Sequence, residues 1–338
     1  MNEVRRTFVP DSEPKVRRTS QLVMVEQRQG ADDAAFWVRE GDRRIAGQDS
    51  NLRLVELRAG LVRHARVRAV AADAPDEEVE RTLGSLHEPD YLAALAEVAS
   101  PEPVVMTDFA PPGLEPDIPV NANLVAAARE GIRTAITAAD RLLDGAHFTY
   151  AVCRPPGHHA GPAFHAGYCY LNNAAAAVQR LCDGGMKPVG VVDLDLHYPN
   201  GTSALVERMA PDAALHSLHA APVTNLPPGT PLPRVAGERA VSFAGVPDED
   251  TYLRELEASI IDLSEIAAAL VVSLGYDTVA GDPHGGWGFG PEIFAQIGRL
   301  LAHSRLPICV IQEGGYSLED LADCSHAFAV GLLGGEGR

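Results

Sequence analysis

Cysteine is scarce in this 338-residue chain and follows no pattern. The five cysteines are Cys153, Cys169, Cys182, Cys309 and Cys324. No two of them form a Cys-x-x-Cys pair, and three of them sit in apolar stretches. This arrangement excludes a regular disulfide framework and a cysteine-pair zinc or redox motif. We therefore expect reduced thiols in a cytoplasmic protein.

Signals for membranes and nucleic acids are also missing. The first residues contain no apolar signal core, and no apolar run is long enough to span a bilayer. Lys and Arg number 28 against 46 Asp and Glu, a formal charge of −18. This charge opposes binding to a phosphate backbone and favours cationic ligands, although an acidic surface also serves solubility alone. We expect neither a nucleic-acid nor a membrane partner.

Two common catalytic motifs are absent as well. The chain has neither a Gly-x-Ser-x-Gly nucleophile elbow nor a phosphate-binding P-loop. Because serine hydrolases and nucleotide-binding enzymes carry these motifs in fixed local contexts, the sequence gives no support to either class. Any hydrolytic chemistry must therefore come from other side chains.

Apolar residues, by contrast, make up 46% of the chain, and short β-branched runs alternate with helical patterns. The predicted strands are 148–153, 189–194, 213–218, 269–274 and 308–312. The predicted helices are 51–62, 90–99, 123–143, 172–181, 203–208, 251–265, 291–302 and 318–333. This alternation predicts an α/β fold with a mainly parallel sheet covered on both faces. We expect one domain, 51–338, preceded by an irregular segment, 1–50, that packs on it.

The most informative segment is Asp193-Leu-Asp-Leu-His-Tyr-Pro-Asn-Gly-Thr, directly after the strand 189–194. Alternation along an extended chain sends Asp193, Asp195 and His197 to the same side. Two carboxylates and an imidazole are costly to bury together without a cation. Polar groups at the carboxyl end of a parallel strand are also where α/β active sites form. The segment therefore predicts a metal site.

Three more predicted strands end in polar clusters. They run into Arg154-Pro-Pro-Gly-His-His, Gly275-Tyr-Asp277 and Glu313-Gly-Gly-Tyr316. Each cluster alone is weak evidence, but all four share one edge of a parallel sheet. A metal held by Asp195, His197 and Asp277 would make a water acidic and polarise a carbonyl. His158 and His159 suit general acid and base work, and the Tyr316 hydroxyl suits an oxyanion, which together predict amide or ester hydrolysis.

In the order of these motifs the chain resembles the zinc-dependent histone deacetylase superfamily, and more closely its bacterial acetylpolyamine amidohydrolase-like branch. The matching segments are 86–92, 154–161, 167–173, 193–202, 273–277, 281–283 and 313–316. The resemblance covers roughly residues 50 to 335 and implies a single-domain, three-layer arginase/deacetylase-like fold.

The resemblance implies roles for several residues. The catalytic metal is zinc in the family, with iron and cobalt also suited to the ligands Asp195, His197 and Asp277. The tandem pair His158 and His159 and the carbonyl-polarising Tyr316 complete the reaction centre. Asp193 pairs with His158, and Asn200 orients His159. A structural potassium ion is common in the family, and the matching residues are Asp193, Asp195, His197, Ser217 and Leu218.

Residues around the substrate follow from the same resemblance. Gly167 and Tyr168 match the wall of an acyl-lysine tunnel, and Asp117 matches a rim acid that holds the substrate. One departure stands out, because Tyr198-Pro199 replaces the usual His-Gly, which fixes φ and removes a backbone donor. The proline-rich segment between residues 99 and 119 is shorter than the insertion that builds the dimer in polyamine-type members, so a homo-oligomer is left open.

Three readings of function compete. The first is a metal-dependent amidohydrolase acting on a small acetylated amine, an acetylpolyamine or acetyllysine. The second is a catalytically silent ligand-binding or scaffold protein on the same fold, for which Tyr198-Pro199 is the only argument. The third is an arginase-like binuclear hydrolase, which lacks an obvious bridging carboxylate set. His284 and Trp287 are interpreted as loop-shaping residues without chemistry.

Overall fold

The computed structural model describes residues 21–28, 37–40, 43–209, 211–224, 226–229, 232 and 237–335. Eight strands of the described chain form one parallel sheet in the order β4-β1-β5-β10-β9-β6-β7-β8. These are β1 (Leu22–Glu26), β4 (Val67–Ala71), β5 (Phe148–Val152), β6 (Val189–Asp193), β7 (Ala213–Ala221), β8 (Glu238–Ala244), β9 (Ala269–Leu274) and β10 (Ile308–Gln312). A separate antiparallel pair joins β2 (Trp37–Glu40) and β3 (Arg43–Ala46).

Nine α-helices lie in the described part of the chain. They are α1 (Asn51–Leu61), α2 (Asp76–Leu86), α3 (Pro89–Ala96), α4 (Ala122–Leu143), α5 (Asn173–Asp183), α6 (Asn200–Met209), α7 (Glu249–Ser264), α8 (Glu292–His303) and α9 (Leu321–Leu333). Within these described ranges, no helix is both long and apolar enough to cross a membrane.

The alternation of side chains along each strand separates two apolar cores. On β9, for example, Leu270 and Val272 belong to one cluster, while Ala269 and Val271 belong to the other. The first cluster packs against α1, α7, α8 and α9, and the second packs against α4 and α5. Because consecutive residues of a strand point to opposite faces, a sheet buried on both sides needs apolar residues throughout. This confirms the predicted three-layer α/β fold.

The prediction that segment 1–50 is irregular is wrong for three described strands, β1, β2 and β3. Leu22–Glu26 form β1, an interior strand between β4 and β5, with Leu22 to Val25 buried. The physical reason is the run Leu-Val-Met-Val, which is short but apolar and β-branched enough for a strand covered on both faces. Residues 1–20, 29–36 and 41–42 lie outside the described residues. The boundary of the catalytic domain at residue 51 stays a prediction.

Candidate active site

Four neighbouring strands, β5, β10, β9 and β6, form the centre of the sheet. Each of them ends in one of the polar clusters that the sequence singles out. Since all four run parallel, their carboxyl ends meet at one edge. The topology therefore brings together side chains that are more than 150 residues apart in the chain.

The predicted metal ligands meet at this edge. One donor atom from each of Asp195, His197 and Asp277 lies within 4.8 Å of the others. His197 Nδ1 is 3.1 Å from Asp195 Oδ1 and 3.1 Å from Asp277 Oδ2. Backbone N–H groups hold the other two oxygens, since Gly314 donates to Asp195 Oδ2 at 2.8 Å and Leu196 donates to Asp277 Oδ1 at 3.0 Å.

Two glycines allow the backbone to approach these carboxylates so closely. A Cβ on Gly275 would lie 2.4 Å from Asp195 Oδ2 and 2.7 Å from Asp277 Oδ1. A Cβ on Gly314 would lie 2.6 Å from Asp195 Oδ2. Any larger residue would displace the carboxylates, because real contacts to Cβ are rarely this short. The positions of the two carboxylates therefore require glycine at 275 and 314.

Without a cation, the negative charges of the two carboxylates in this group disfavour one another. Asp195 and Asp277 are almost completely buried. Burial, and next the charge of Asp195, raise the pKa of Asp277 to about 7. Burial also opposes the charge of Asp195, but His158 and His197 hold its pKa well below the usual range. Two buried carboxylates that disfavour one another are compatible with a cation between them, and one nitrogen with two oxygens suits zinc with an open coordination position.

The tandem histidines lie beside the metal-ligand group. His158 Nδ1 is 3.4 Å from Asp193 Oδ2, and its Nε2 is 3.6 Å from Asp195 Oδ1. His159 Nδ1 is 2.9 Å from Asn200 Oδ1, and the two imidazole rings are 4.0 Å apart between centroids. The neighbours expected from the sequence, Asp193 for His158 and Asn200 for His159, are thus in contact with them.

The different neighbours give the two imidazoles opposite pKa shifts. Burial disfavours the charge of His158, but Asp195 and then Asp193 outweigh it and raise the pKa to about 10. Burial, followed by the charges of His158 and His197, lowers the pKa of His159 well below its usual value. Opposite pKa shifts in two adjacent imidazoles are suited to a division of proton-transfer work.

Glu313 holds the backbone of the histidine pair, a contact that the sequence did not predict. Its Oε2 accepts hydrogen bonds from the N–H groups of Gly157 at 2.7 Å and His158 at 3.1 Å. The side chain is fully buried, and burial raises its pKa to about 8. One donor atom each from His158, Cys169 and Glu313 also lie within 4.8 Å of one another. The polar clusters that follow β5 and β10 are therefore in contact.

Tyr316 is held from several sides. Asp282 Oδ2 accepts from its backbone N–H at 2.6 Å. The guanidinium of the buried Arg53 lies 4.6 Å from the ring centroid. Arg53 Nε also donates to the Gly315 carbonyl at 2.7 Å, so it anchors the backbone directly before the tyrosine. One sequence signal pointed to Arg53. It lies one helical turn before Leu57 on α1, and therefore on the face of the helix that is buried.

The predicted rim residues are adjacent. Asp117 Oδ2 accepts from the Gly167 N–H at 2.8 Å. Gly167 has φ +51°, and a Cβ there would lie 2.4 Å from His159 Cδ2, so only glycine fits. Tyr168 follows with φ 67° and lies 2.7 Å, Oη to Nε2, from His284. His284, interpreted from sequence as a loop-shaping residue, therefore belongs to this site.

The residues expected to match a potassium site are close in the sheet. Asp193 on β6 lies opposite Ser217 on β7, and both Ser217 and Leu218 are buried. The Ser217 hydroxyl lies 2.9 Å from His219 Nδ1. The role of these residues stays a prediction.

Tyr198, the departure from the family pattern, is directed away from the metal-ligand group. Its hydroxyl donates to Glu238 Oε1 at 2.7 Å and lies 3.0 Å from Ser203 Oγ. Its ring packs against His219, 5.0 Å between centroids. Tyr198-Pro199 thus leaves the three donor side chains in place, because the larger ring finds its own partners on α6 and β8.

Several known proteins are similar to this chain in sequence. The profile described as histone deacetylase domain matches residues 49–332. Acetylpolyamine amidohydrolase of Mycoplana ramosa is 36% identical over 203 residues, 58% of this chain and 59% of that protein. Acetylpolyamine amidohydrolase 1 of Pseudomonas aeruginosa is 34% identical over 211 residues, 60% and 61% of the two chains. The chain thus matches about three fifths of the length of these curated relatives.

Two solved structures are similar to this chain in fold over most of its length. The acetylpolyamine aminohydrolase from Burkholderia pseudomallei superposes with a TM-score of 0.78 at 24% identity, covering 94% of this chain and all of that one. The HDA15 HD domain superposes with a TM-score of 0.73 at 23% identity, covering 95% and 91%. At these identities the superpositions show a shared fold.

Proposed function

Since the chain belongs to the histone deacetylase domain family, we propose that it is a metal-dependent amidohydrolase that removes an acetyl or other short acyl group from an amine. The observation that carries the proposal is that Asp195, His197 and Asp277 lie beside the histidine pair, at the sheet edge where the loop of Tyr316 also begins. Relatives named for acetylpolyamines support an acetylated amine as substrate. The formal charge of −18 favours a cationic one, so we rank small acetylated amines ahead of acetyllysine.

The residues present fit a divalent metal, zinc first and iron or cobalt as alternatives. Two buried carboxylates and one imidazole converge, and glycines at 275 and 314 leave room for them. The bound metal would act as a Lewis acid on the carbonyl and make a neighbouring water acidic near neutral pH. Its positive charge would also offset the carboxylate field that raises the pKa of His158.

The chain's own residues would handle the protons. His159 has a lowered pKa, so its imidazole is neutral and able to accept a proton from water at Nε2 while Asn200 holds Nδ1. His158, held between Asp193 and Asp195, would in its protonated form supply the proton that the leaving amine needs. The Tyr316 hydroxyl would donate a hydrogen bond to the carbonyl oxygen as negative charge develops there.

The rim would hold the rest of the substrate. Asp117 uses Oδ2 for Gly167, while Oδ1 has no hydrogen-bond partner among the described residues. As the rim acid, Asp117 would bind an amide N–H or an ammonium group of the substrate. Gly167 and Tyr168 would form the adjoining wall of the substrate passage.

Two further assignments belong to the proposal. We place a structural potassium ion beside Asp193, Asp195, His197, Ser217 and Leu218, supported by the β6–β7 register. We also propose a cytoplasmic location, supported by five free cysteines, four of them buried. A homo-oligomer is left open.

The proposal is tested by measuring amine release from acetylpolyamines, acetyllysine peptides and small N-acetylated metabolites. The protein is stripped with a chelator and reloaded with zinc, iron(II) or cobalt(II). We expect release to disappear on stripping, to return on reloading, and to be fastest with an acetylpolyamine. Asp277→Asn should abolish release, whereas Asp183→Asn, which changes an exposed carboxylate at the end of α5, should not.

The silent-scaffold reading makes the opposite prediction. A protein that binds metal but releases no amine from any substrate in the panel would contradict the amidohydrolase. Tyr198-Pro199 would then be the first position to revert. The contacts of Tyr198 with Glu238 and Ser203 count against this outcome, because they leave the metal-ligand group intact.

A further inference from the structure

A hydrogen bond joins two loops over the candidate site. Tyr168 lies in the loop between β5 and α5, and His284 lies in the loop between β9 and α8. Tyr168 Oη and His284 Nε2 are 2.7 Å apart. The Gln48 N–H donates to the same oxygen at 3.2 Å. In the contact with His284, the tautomer of the imidazole decides which group donates. The Tyr168 hydroxyl thus connects three separate segments of the chain.

The backbone of Tyr168 supports the view that this contact is specified. Its φ of 67° is in the left-handed region, which is uncommon for a residue with a bulky side chain. Such a conformation persists where the surroundings fix it, and it is enriched at functional sites. The neighbouring Gly167 permits the turn, and the tyrosine ring is almost completely buried.

The pair packs directly on Tyr316. The His284 ring meets the Tyr316 ring edge-on, 4.8 Å between centroids and 78° between planes. The Tyr168 ring lies 5.2 Å from Tyr316 and 5.2 Å from His284, so the three rings contact one another. Among the described residues, no hydrogen bond holds the Tyr316 hydroxyl, so ring contacts and backbone anchoring set the orientation of this side chain.

Asp282 ties the pair to the same backbone. Its Oδ1 accepts from the His284 N–H at 2.9 Å, and its Oδ2 accepts from the Tyr316 N–H at 2.6 Å. One buried carboxylate thus fixes the distance between the two residues. Gly315, with φ 109°, precedes Tyr316 and offers little restraint of its own.

We propose that Tyr168 and His284 act as a unit that positions the Tyr316 hydroxyl for the reaction, through their mutual hydrogen bond and their ring contacts. The inference rests on the proposed function, in which Tyr316 donates to the carbonyl oxygen. Both are positioning residues, since they act through Tyr316. Breaking the hydrogen bond removes one restraint on the His284 ring, which packs on the Tyr316 ring, and small misplacements of a catalytic group lower the rate strongly.

The test compares Tyr168→Phe, His284→Phe and the double variant, each of which keeps an aromatic ring and removes the hydrogen bond. The control is Tyr91→Phe, which removes a buried tyrosine hydroxyl bonded to the Tyr170 carbonyl at 2.7 Å. Metal-loaded proteins are assayed for kcat and KM. Metal-free proteins with 13Cε-labelled tyrosine are compared by NMR at the Tyr316 resonance, which is assigned by its loss in Tyr316→Phe.

We expect each single variant to lower kcat about tenfold with little change in KM, and the double variant to lose no more than either single one. The Tyr316 resonance should shift in both single variants and stay in place in Tyr91→Phe. Unchanged kcat in either variant, or a loss in the double variant equal to the product of the two, would overturn the inference. If the wild-type protein is inactive on every substrate, the proposed function fails. The NMR comparison still tests the positioning of Tyr316, because an unmoved Tyr316 resonance in both single variants would overturn the role of the pair.

Discussion

Replacing Tyr316 by Phe removes one hydroxyl from the centre of the site and leaves the ring. The ring keeps its contacts with Arg53, Tyr168 and His284. Because no hydrogen bond among the described residues involves this hydroxyl, its loss has no partner to leave unsatisfied. We therefore expect the free energy of unfolding to change by less than about 0.5 kcal/mol. The whole effect should appear in the transition state.

The expected loss is that of one oxyanion donor, about 10²–10³-fold in kcat with little change in KM. This corresponds to about 2.7–4 kcal/mol of transition-state stabilisation. The assay is steady-state amine release by the metal-loaded protein, with urea unfolding measured in parallel.

Tyr91→Phe provides the contrast to this variant. It breaks a buried hydrogen bond of 2.7 Å and should cost about 1–3 kcal/mol of stability while leaving kcat intact. If Tyr316→Phe kept more than about a tenth of wild-type kcat, the assignment of the oxyanion donor would be refuted.

Three further outcomes follow from the contacts of the site. Asn200→Asp places a negative charge 2.9 Å from His159, raises its pKa, and should move the acid limb of the kcat/KM profile to higher pH. Burial and a neighbouring carboxylate raise the folded pKa of Asp277 above 3.8, so its charge costs stability as pH rises toward about 7. Metal-free Asp277→Asn should therefore resist urea better than metal-free wild type at pH 8, with a smaller difference at pH 5. Gly167→Ala should lower kcat because its Cβ would lie 2.4 Å from His159, whereas the exposed Gly84→Ala should keep activity and gain about 0.5–1 kcal/mol of stability.

Much of the fold could be predicted because apolar runs and helical spacing are local signals. The strands β5, β6, β9 and β10 follow from short buried runs that end in polar residues. β1 was missed although it is interior and apolar, and two other missed strands have a different character. β4 reads Val-Arg-Ala-Val-Ala at the sheet edge, where a charged side chain is tolerated, and β8 is only half-buried. Edge strands carry little apolar pattern because one side has no neighbour.

The candidate site was likewise predictable only in part from the sequence. The motif Asp193 to Thr202 indicates a metal group because its spacing places three polar side chains on one side of the chain. His284 gave no such signal, because its partner Tyr168 lies 116 residues away and its role depends on a loop conformation. Arg53 and Glu313 act through backbone carbonyls and N–H groups, which any residue carries and no motif records.

What the sequence determined by itself is the chemistry that each strand end can offer, because residue type and alternation are properties of the chain alone. The tertiary structure decided which ends meet. The order β5-β10-β9-β6 places the strand end that carries Asp277 between the strand ends that carry Tyr316 and Asp195, and it brings Asp277 and Asp195 together. The folded chain also has β1 inside the sheet and His284 packed against Tyr316. These contacts join residues far apart in sequence, and their energies depend on burial and distance, which exist only once the chain has folded.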